Sequence, residues 1–290
     1  KMIWDYVQDN SNVAIDQIKR LGASADWSRK KFTLDPEIVS FVLDTFIKLH
    51  QDGLIYRDLK LVNYCTKCGT AFSNLEVEHE DRKTPLYYLK YGPFTLATVR
   101  PETKFGDTAI AVHPDDNRYK KYVGKEIEAE GLLGQFRIKV IADSSVDPKF
   151  GTGAVKVTPY HDHNDFSIWK RHPELPQPIQ VIDQTGKLNQ NAGKYSGLKI
   201  MKARETIVED LKKLGILIKT DENYQNSVGV CYRCKTTIEP LPMKQWFLKV
   251  KPLTEKSLEA LSKKQVKVYG SGHDKILKHW LESLEDWNIS

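Results

Sequence analysis

Residues 152–166 read Thr-Gly-Ala-Val-Lys-Val-Thr-Pro-Tyr-His-Asp-His-Asn-Asp-Phe, and this stretch is the most informative part of the chain. Its apolar residues alternate with Lys156 and Thr158, which predicts a short strand that breaks at Pro159. A polar turn that carries Asp162 and Asp165 follows. One strand end and the next turn can therefore direct an ammonium, a hydroxyl and two carboxylates into a single pocket.

A second polar run precedes this strand in the chain. It reads Ala97-Thr98-Val99-Arg100-Pro101-Glu102-Thr103 and adds hydroxyls, a guanidinium and a carboxylate. Charges of both signs, together with neutral hydrogen-bonding groups, are what a small zwitterion requires of its site. The two runs together therefore indicate a binding site for a small zwitterion.

The composition is that of a globular protein. The 290 residues can bury a sizeable core, and 40% hydrophobic with 28% charged residues is not the composition of a disordered chain. No run of about 18 apolar residues occurs, so no membrane span is expected. The first residues lack the apolar core of a signal peptide, so we expect a cytoplasmic protein. The net charge of +6 is spread over short patches, which permits contact with nucleic acid without requiring it.

All four cysteines fall into two pairs of one form, Cys65-Thr-Lys-Cys68 and Cys231-Tyr-Arg-Cys234. This spacing is that of a tight turn in which both thiolates face one tetrahedral metal, so two such pairs predict a four-thiolate zinc site. Disulfides are an alternative that a cytoplasmic location disfavours. A redox Cys-x-x-Cys is a second alternative, which fits two copies with basic residues inside them less well. Four thiolates leave no open coordination position, so the Zn²⁺ would be structural.

The two cysteine pairs are separated by 162 residues. A zinc ribbon whose halves lie so far apart must have a whole domain inserted between them. The ribbon is therefore predicted to be a neck that holds together the entry and exit strands of the inserted domain.

The apolar residues between the cysteine pairs mostly follow the period of strands. Strands are predicted at 86–91, 94–99, 108–112, 136–141 and 153–158, where β-branched or aromatic residues lie between turn residues. Helices are predicted at 115–122, 162–171 and 203–214, and another begins at Asp35-Pro36. The expected fold class is mixed α/β, with a β-barrel-like core, surrounding helices and the zinc-ribbon neck.

Seven motifs spread over nearly the whole chain point to one family. They occupy residues 22–29, 63–69, 98–103, 111–116, 151–166, 227–234 and 244–247, and include Lys244-Gln245-Trp246-Phe247. In this order they resemble the valyl-tRNA synthetases of class I. The related isoleucyl and leucyl enzymes share the strand and final aspartate but lack the form Arg100-Pro101-Glu102-Thr103.

The part of the family that the chain resembles is the connective insertion with its editing domain. The resemblance implies a helical flank at 1–60, a zinc-ribbon neck at 61–80 and 225–250, an editing domain at 81–224 and a helical return segment at 251–290. Neither His-x-Gly-His nor Lys-Met-Ser-Lys-Ser occurs in the sequence. We therefore expect a piece of a longer, monomeric enzyme that binds ATP only when intact, and no activation of valine by this piece.

The resemblance implies a proofreading hydrolase that deacylates threonyl-tRNA(Val) at its acceptor end and also hydrolyses threonyl-adenylate. Asp165, with Asp162 beside it, would bind the α-ammonium and hydroxyl of the substrate. Lys156, the third catalytic residue, and Arg100 would meet the terminal adenosine, a phosphate or the developing oxyanion. The remaining substrate-binding residues would be Thr98, Glu102, Thr103, Phe150 and Thr158.

Each of these assignments has a structural alternative. Asp162 or Asp165 would cap the following helix, Lys156 would be a solvated strand residue, and Glu102 would be a salt-bridge partner. His161 and His163 fit turn residues better than a metal-binding or basic pair.

Two positions depart from the pattern of the family. Lys104 stands where an apolar residue is usual, and Tyr160 replaces a small residue, so the contacts near them are open. Two other functions also remain open. The first is a non-catalytic zinc-ribbon module that binds RNA, and the second is editing in an isoleucyl or leucyl enzyme.

Overall fold

The computed structural model describes residues 1–72 and 76–289, which form a mixed α/β protein. The chain divides into two compact units. The first comprises Lys1–Tyr56 and Leu248–Glu285, and the second comprises Arg57–Phe247 with the residues from Asp286 onward. None of the helices in the described ranges is long and apolar enough to cross a membrane.

Along the described chain two helices come first and nine strands follow them, and the later helices and strands come in smaller groups. The helices are α1 (Met2–Arg20), α2 (Pro36–Gln51), α3 (His163–Arg171), α4 (Ile200–Lys213), α5 (Lys251–Ser262) and α6 (His273–Ser283). The strands are β1 (Ile55–Cys65), β2 (Thr70–Phe72), β3 (Val77–Lys83), β4 (Leu86–Tyr91), β5 (Phe94–Thr98), β6 (Ala109–Val112), β7 (Glu126–Gly131), β8 (Gly134–Ala142), β9 (Ala154–Val157), β10 (Leu217–Asp221), β11 (Gln225–Cys231), β12 (Glu239–Leu248) and β13 (Trp287–Asn288). Short 3₁₀ segments lie at Trp27–Arg29, Pro101–Gly106, Lys120–Tyr122 and Gln190–Tyr195.

The first unit is mainly helical. α2 begins with Asp35 at the N-cap and Pro36 in the first turn. A backbone N–H at this position has no acceptor within the helix, so proline, which lacks it, costs no hydrogen bond. It ends before Gly53, whose φ of 70° suits a residue without a Cβ. α5 and α6 pack against each other. The division of this part into a flank (1–60) and a return segment (251–290) stays a prediction.

The second unit contains the sheets that position the site. One sheet has the order β7-β8-β6-β9, and in it β6 pairs parallel with β8 and antiparallel with β9. A second has the order β10-β4-β5, a third joins β11 to β3, and the fourth has the order β13-β12-β1-β2. α4 covers the core with Ala203, Ile207 and Leu211, which recur every four residues and so share one face. The finer division into a neck and an editing domain (81–224) stays a prediction.

The mixed α/β class is confirmed, but the predicted closure into a barrel is not found. Within residues 1–72 and 76–289 all four sheets are open. β5 lies against β9, yet no backbone ladder joins them, and the Thr152 hydroxyl donates to the Thr95 carbonyl instead. The left-handed Gly151 and Gly153 turn the chain immediately before β9. A side-chain bond therefore takes the place of a ladder at this point.

The five predicted strands correspond to β4, β5, β6, β8 and β9, and two of the predicted helices correspond to α3 and α4. The helix predicted at 115–122 is wrong, because only Lys120–Tyr122 is helical and it is a 3₁₀ turn. Asp116 explains this difference. Its carboxylate accepts the Arg118 N–H at 3.1 Å and the Arg118 guanidinium at 2.6 Å, a local turn that competes with helix formation.

Candidate functional site

A polar cavity lies at the end of β9, where Lys156 and Thr158 share one face of the strand because they are two residues apart. Lys156 Nζ donates to Thr158 Oγ1 at 2.5 Å, to Thr103 Oγ1 at 3.0 Å and to Asp107 Oδ1 at 3.3 Å. The Lys156 side chain is only 9% exposed. An ammonium has three N–H donors, and here all three have acceptors within the protein. Lys156 is therefore a buried, fully paired residue and not a solvated one.

Asp107 holds this arrangement together, and the sequence analysis missed it. Its Oδ1 accepts the Thr158 hydroxyl at 2.6 Å, and its Oδ2 accepts the Tyr91 hydroxyl at 2.5 Å. Burial and the neighbouring carboxylate raise the pKa of Tyr91 well above its ordinary value, so the phenol stays a donor. In the sequence, Asp107 reads as an ordinary turn residue beside Gly106. No local signal connects it with Lys156.

The two acidic residues of the turn before α3 have different contacts. Asp162 is the N-cap, and its Oδ1 accepts the N–H groups of Asn164 at 2.8 Å and Asp165 at 3.1 Å. Asp165 Oδ2 instead accepts the Thr158 N–H at 2.8 Å, which ties the helix start to the end of β9. Burial and the nearby Asp162 raise the pKa of Asp165 to about 8, although Lys156 opposes this rise. The capping alternative thus holds for Asp162, whereas Asp165 is a half-buried carboxyl group in the cavity wall.

Behind the cavity lies a chain of alternating charges formed by Arg204, Glu102, Arg100 and Glu239. Glu102 is fully buried and accepts Arg204 Nε at 2.9 Å, Arg204 Nη2 at 2.8 Å and Arg100 Nε at 3.2 Å. Arg100 also pairs with Glu239 and donates to the His161 carbonyl at 3.1 Å. Burial by itself would raise the pKa of Glu102, but Arg204 and Arg100 outweigh it and lower the pKa. Glu102 has the salt-bridge role, and Arg100 is already paired with two carboxylates.

The cavity has a volume of about 210 Å³. Of the nine residues predicted to be catalytic or substrate-binding, eight line it, and Glu102 does not. Thr98 Oγ1 accepts the Arg100 N–H at 3.0 Å, and Thr103 is almost fully buried. Phe150 is 40% exposed and packs edge-on against Tyr224, with ring centroids 6.4 Å apart. Tyr224 and Asn226 line the cavity from beside and within β11, and the sequence analysis did not single them out.

The two histidines of the turn have structural contacts. His161 is buried, and its Nε2 accepts the Val181 N–H at 2.8 Å. Burial lowers the pKa of His161 well below its ordinary value, and Arg100 and Lys156 lower it further, so the ring is neutral. His163 Nε2 lies 2.8 Å from Asn63 Oδ1. In the described part of the chain neither histidine belongs to a cluster of metal ligands.

The four cysteines come together at the ends of β1 and β11. Their Sγ atoms all lie within 4.8 Å of one another, with 3.5 Å between Cys65 and Cys234 and 3.9 Å between Cys68 and Cys231. Tetrahedral coordination at a Zn–S distance of about 2.3 Å separates sulfur atoms by about 3.8 Å. All four are free cysteines, so the predicted disulfide alternative is not found. The residues present therefore fit one metal ion held by four thiolates.

The comparison with known sequences is consistent with this combination of an α/β fold, a polar cavity and a cysteine cluster. The family model of the class I tRNA synthetases for I, L, M and V matches residues 1–290. The chain therefore belongs to the class I tRNA synthetases.

Within that family the chain is similar to proteins named valine–tRNA ligase. It is 48% identical to the one from Carboxydothermus hydrogenoformans over an alignment of 294 residues. This alignment covers 99% of this chain and 33% of that protein. It is 46% identical to the one from Thermotoga maritima over an alignment of 296 residues, and this alignment covers 100% of this chain and 34% of that protein. The resemblance to the valyl enzymes is confirmed, and the chain spans about a third of the length of these relatives.

Proposed function

We propose that the polar cavity hydrolyses the ester of threonine wrongly joined to tRNA(Val), and that it also accepts threonyl-adenylate. The observation that carries the proposal is the position of Asp165, a half-buried carboxyl group that lines a cavity of about 210 Å³ together with threonine hydroxyls. This volume suits an amino acid and part of a nucleoside. The partner in this proposal is the acceptor end of tRNA(Val), which the family and the names of the relatives support. The proposed location is the cytoplasm.

The chemical need for such a reaction follows from the similarity of valine and threonine. A hydrophobic pocket cannot strongly reject an isostere that merely adds a hydroxyl, and these two amino acids are the established example for this enzyme class. A second, polar pocket can select the hydroxyl instead. Valine would leave the polar groups of this pocket unpaired, which costs about 1–3 kcal/mol for each buried group.

Asp165 would bind the α-ammonium of the aminoacyl ester. Its raised pKa of about 8 means that burial disfavours the bare carboxylate, and an entering cation would supply the missing countercharge. Only one oxygen of Asp162, Oδ1, accepts the cap bonds of α3, so its other oxygen can bond the ammonium or the hydroxyl. The two carboxyl groups would thus distinguish a charged aminoacyl group from an acyl group without an amine.

Lys156 and Arg100 would act mainly by positioning, because the three N–H groups of Lys156 and each side-chain nitrogen of Arg100 already donate to the protein. Lys156 orients the hydroxyls of Thr103 and Thr158, and Arg100 fixes the backbone and the paired carboxylates behind them. The fixed positive charges of Lys156 and Arg100 would stabilise developing negative charge without reorganisation. An aminoacyl ester needs no protein nucleophile, so a water molecule held among these groups would be the attacking species.

We propose Zn²⁺ as the ion of the cysteine cluster. Four thiolates leave no open coordination position, so the ion would hold β1 and β11 together and would take no part in hydrolysis. The residues that would hold it are Cys65, Cys68, Cys231 and Cys234.

The test is the hydrolysis of threonyl- and valyl-tRNA(Val) by the chain and by Asp165→Ala. We expect rapid loss of threonine only, and a decrease of about 10²-fold or more in the variant because a charged substrate contact is removed. Asp115→Ala, which changes an aspartate that is 92% exposed, is the matched control and should retain the full rate.

Two results would contradict the proposal. One is equal hydrolysis of both tRNAs, and the other is an unchanged rate in Asp165→Ala. If the chain binds tRNA but hydrolyses neither ester at saturating protein concentrations, the non-catalytic RNA-binding function is correct instead.

A further inference from the structure

Lys104 is a buried lysine that the polar cavity does not use. It lies in the 3₁₀ segment Pro101–Gly106 and is only 6% exposed. Its Nζ has no hydrogen-bond partner among the described residues. It lies 3.3 Å from the ring centroid of Tyr91 and 4.9 Å from that of Phe136. Aromatic faces attract a cation, but they do not replace the hydrogen bonds that its N–H groups lose on burial.

Lys104 and Lys156 are two lysines close to one carboxylate. Asp107 already accepts the Thr158 hydroxyl, the Tyr91 hydroxyl and the Lys156 ammonium. Burial lowers the pKa of Lys104 to about 7, an effect that Asp107 opposes and Lys156 increases. The protein therefore supplies one buried anion for two buried amines, and Lys104 is the amine without an acceptor.

A second cavity, of about 300 Å³, adjoins this lysine. Lys104 and Asp107 line it, and so do the β7–β8 turn and the start of β8. One part of its wall is apolar and is formed by Phe105, Leu132, Leu133 and Phe136, and the remaining polar side chains are Gln135, Asn191 and Arg137. It shares no lining residue with the polar cavity.

We propose that the second cavity binds a small organic carboxylate with an apolar body, and that the carboxylate pairs with Lys104. The apolar wall provides the surface for the body, and the buried amine provides the missing ion pair. A phosphate fits less well because it needs several cationic donors, whereas Arg137 is 70% exposed and already paired with Glu128 at 2.9 Å. Since Nζ is itself covered, the Phe136 ring must turn aside when the ligand pairs with it.

The charged and titratable groups around the proposed site are few. Asp107 faces Lys104 from the segment before β6, Lys156 from β9, Tyr91 from β4 and Arg137 from β8. A bound carboxylate favours the charged form of Lys104, so binding is coupled to proton uptake. Affinity should therefore decrease as the pH rises through about 7.

Calorimetric titration with benzoate tests the proposal, with benzamide as the uncharged analogue of the same shape. We expect benzoate to bind with a Kd of about 1 mM or lower and benzamide at least tenfold more weakly. Lys104→Met conserves volume and should weaken benzoate binding at least tenfold, whereas Lys202→Met, a change at a lysine that is 69% exposed, should not. Leu133→Trp fills the cavity without removing the lysine and should also abolish binding.

A second measurement distinguishes the two cavities. The ¹³Cε resonance of Lys104 should shift during the titration, and Asp165→Ala should bind benzoate with unchanged affinity. The proposal would be overturned if benzoate did not bind, if it bound Lys104→Met as tightly as the original chain, or if binding disappeared in Asp165→Ala. It does not depend on hydrolysis by the polar cavity.

Discussion

The cysteine cluster and the polar cavity are built in opposite ways. The cluster uses four identical ligands from two short turns, each of which brings two sulfur atoms together locally. The cavity takes its groups from β5, the 3₁₀ segment Pro101–Gly106, β9 and the start of α3, and depends on partners farther away. Among these partners are Asp107, Glu239 and Arg204. The cluster therefore consists of two local turns that the fold brings together at one place. The cavity instead requires the packing of the whole core.

The two regions also differ in what stabilises them. A divalent ion bound by the four cysteines would offset two of the four thiolate charges in one step. In the cavity each buried charge is compensated by another side chain. Removal of one group therefore leaves its partner as an unpaired charge in the low-dielectric interior. Removal of one cysteine should therefore destabilise mainly the two cysteine turns, whereas removal of one charged group of the cavity should destabilise the core.

The largest effect is expected from Cys231→Ser, which removes one of the four sulfur ligands. Structural zinc contributes about 10–16 kcal/mol in zinc-finger peptides, so a large part of the local stability should be lost. Zinc content and thermal unfolding measure this loss. Treatment of the original chain with a chelator should reproduce the result, and an unchanged zinc content in the variant would show that the cluster does not hold this metal.

A smaller but still severe effect is expected from Glu102→Gln in the ion-pair chain. Glu102 compensates Arg204 and Arg100, and breaking a buried ion pair costs about 3–5 kcal/mol. The matched control is Glu128→Gln, which breaks the exposed pair with Arg137 and should cost about 0–1 kcal/mol. The free energies of unfolding in urea compare the two. Equal costs would mean that burial of the chain of charges adds nothing to stability.

The third effect concerns Asp165→Asn and increases with pH from nearly zero. The pKa of Asp165 is about 8 in the folded chain, and it is about 3.9 for an unfolded aspartate. The native state thus retains a proton that the unfolded chain releases, so the original chain loses stability relative to Asp165→Asn as the pH rises between these values. The difference should reach on the order of a few kcal/mol at pH 8 and should vanish below about pH 4.

Asp162→Ala is a related variant that should weaken the pH dependence, because Asp162 helps to raise the pKa of Asp165. It removes the N-cap of α3 and should cost about 1 kcal/mol. If the relative stability of Asp165→Asn showed no slope with pH, the carboxyl group at position 165 would be ionised as readily in the folded chain as in water.

Much of the site could be predicted from local patterns. The alternation around β9 placed Lys156 and Thr158 on one face, and the turn before α3 brought two aspartates to the same end. The spacing of the cysteines predicted their cluster. The prediction of a helix at 115–122 was wrong, because the Asp116 side chain forms a local turn there instead. Among the described residues the sheets are open, which the sequence could not predict because the pairing of strands distant along the chain is not a local property.

The sequence by itself determined the α/β class, the family and the groups that sit two or three residues apart, because strand and turn periods are local properties of the backbone. Only the tertiary structure decided which charges compensate one another. Asp107 pairs with Lys156 across 49 residues and Arg100 with Glu239 across 139, and neither distance along the chain leaves a pattern. Among the described residues the same folding left Lys104 without an acceptor beside the second cavity, because Asp107 already accepts from Tyr91, Thr158 and Lys156.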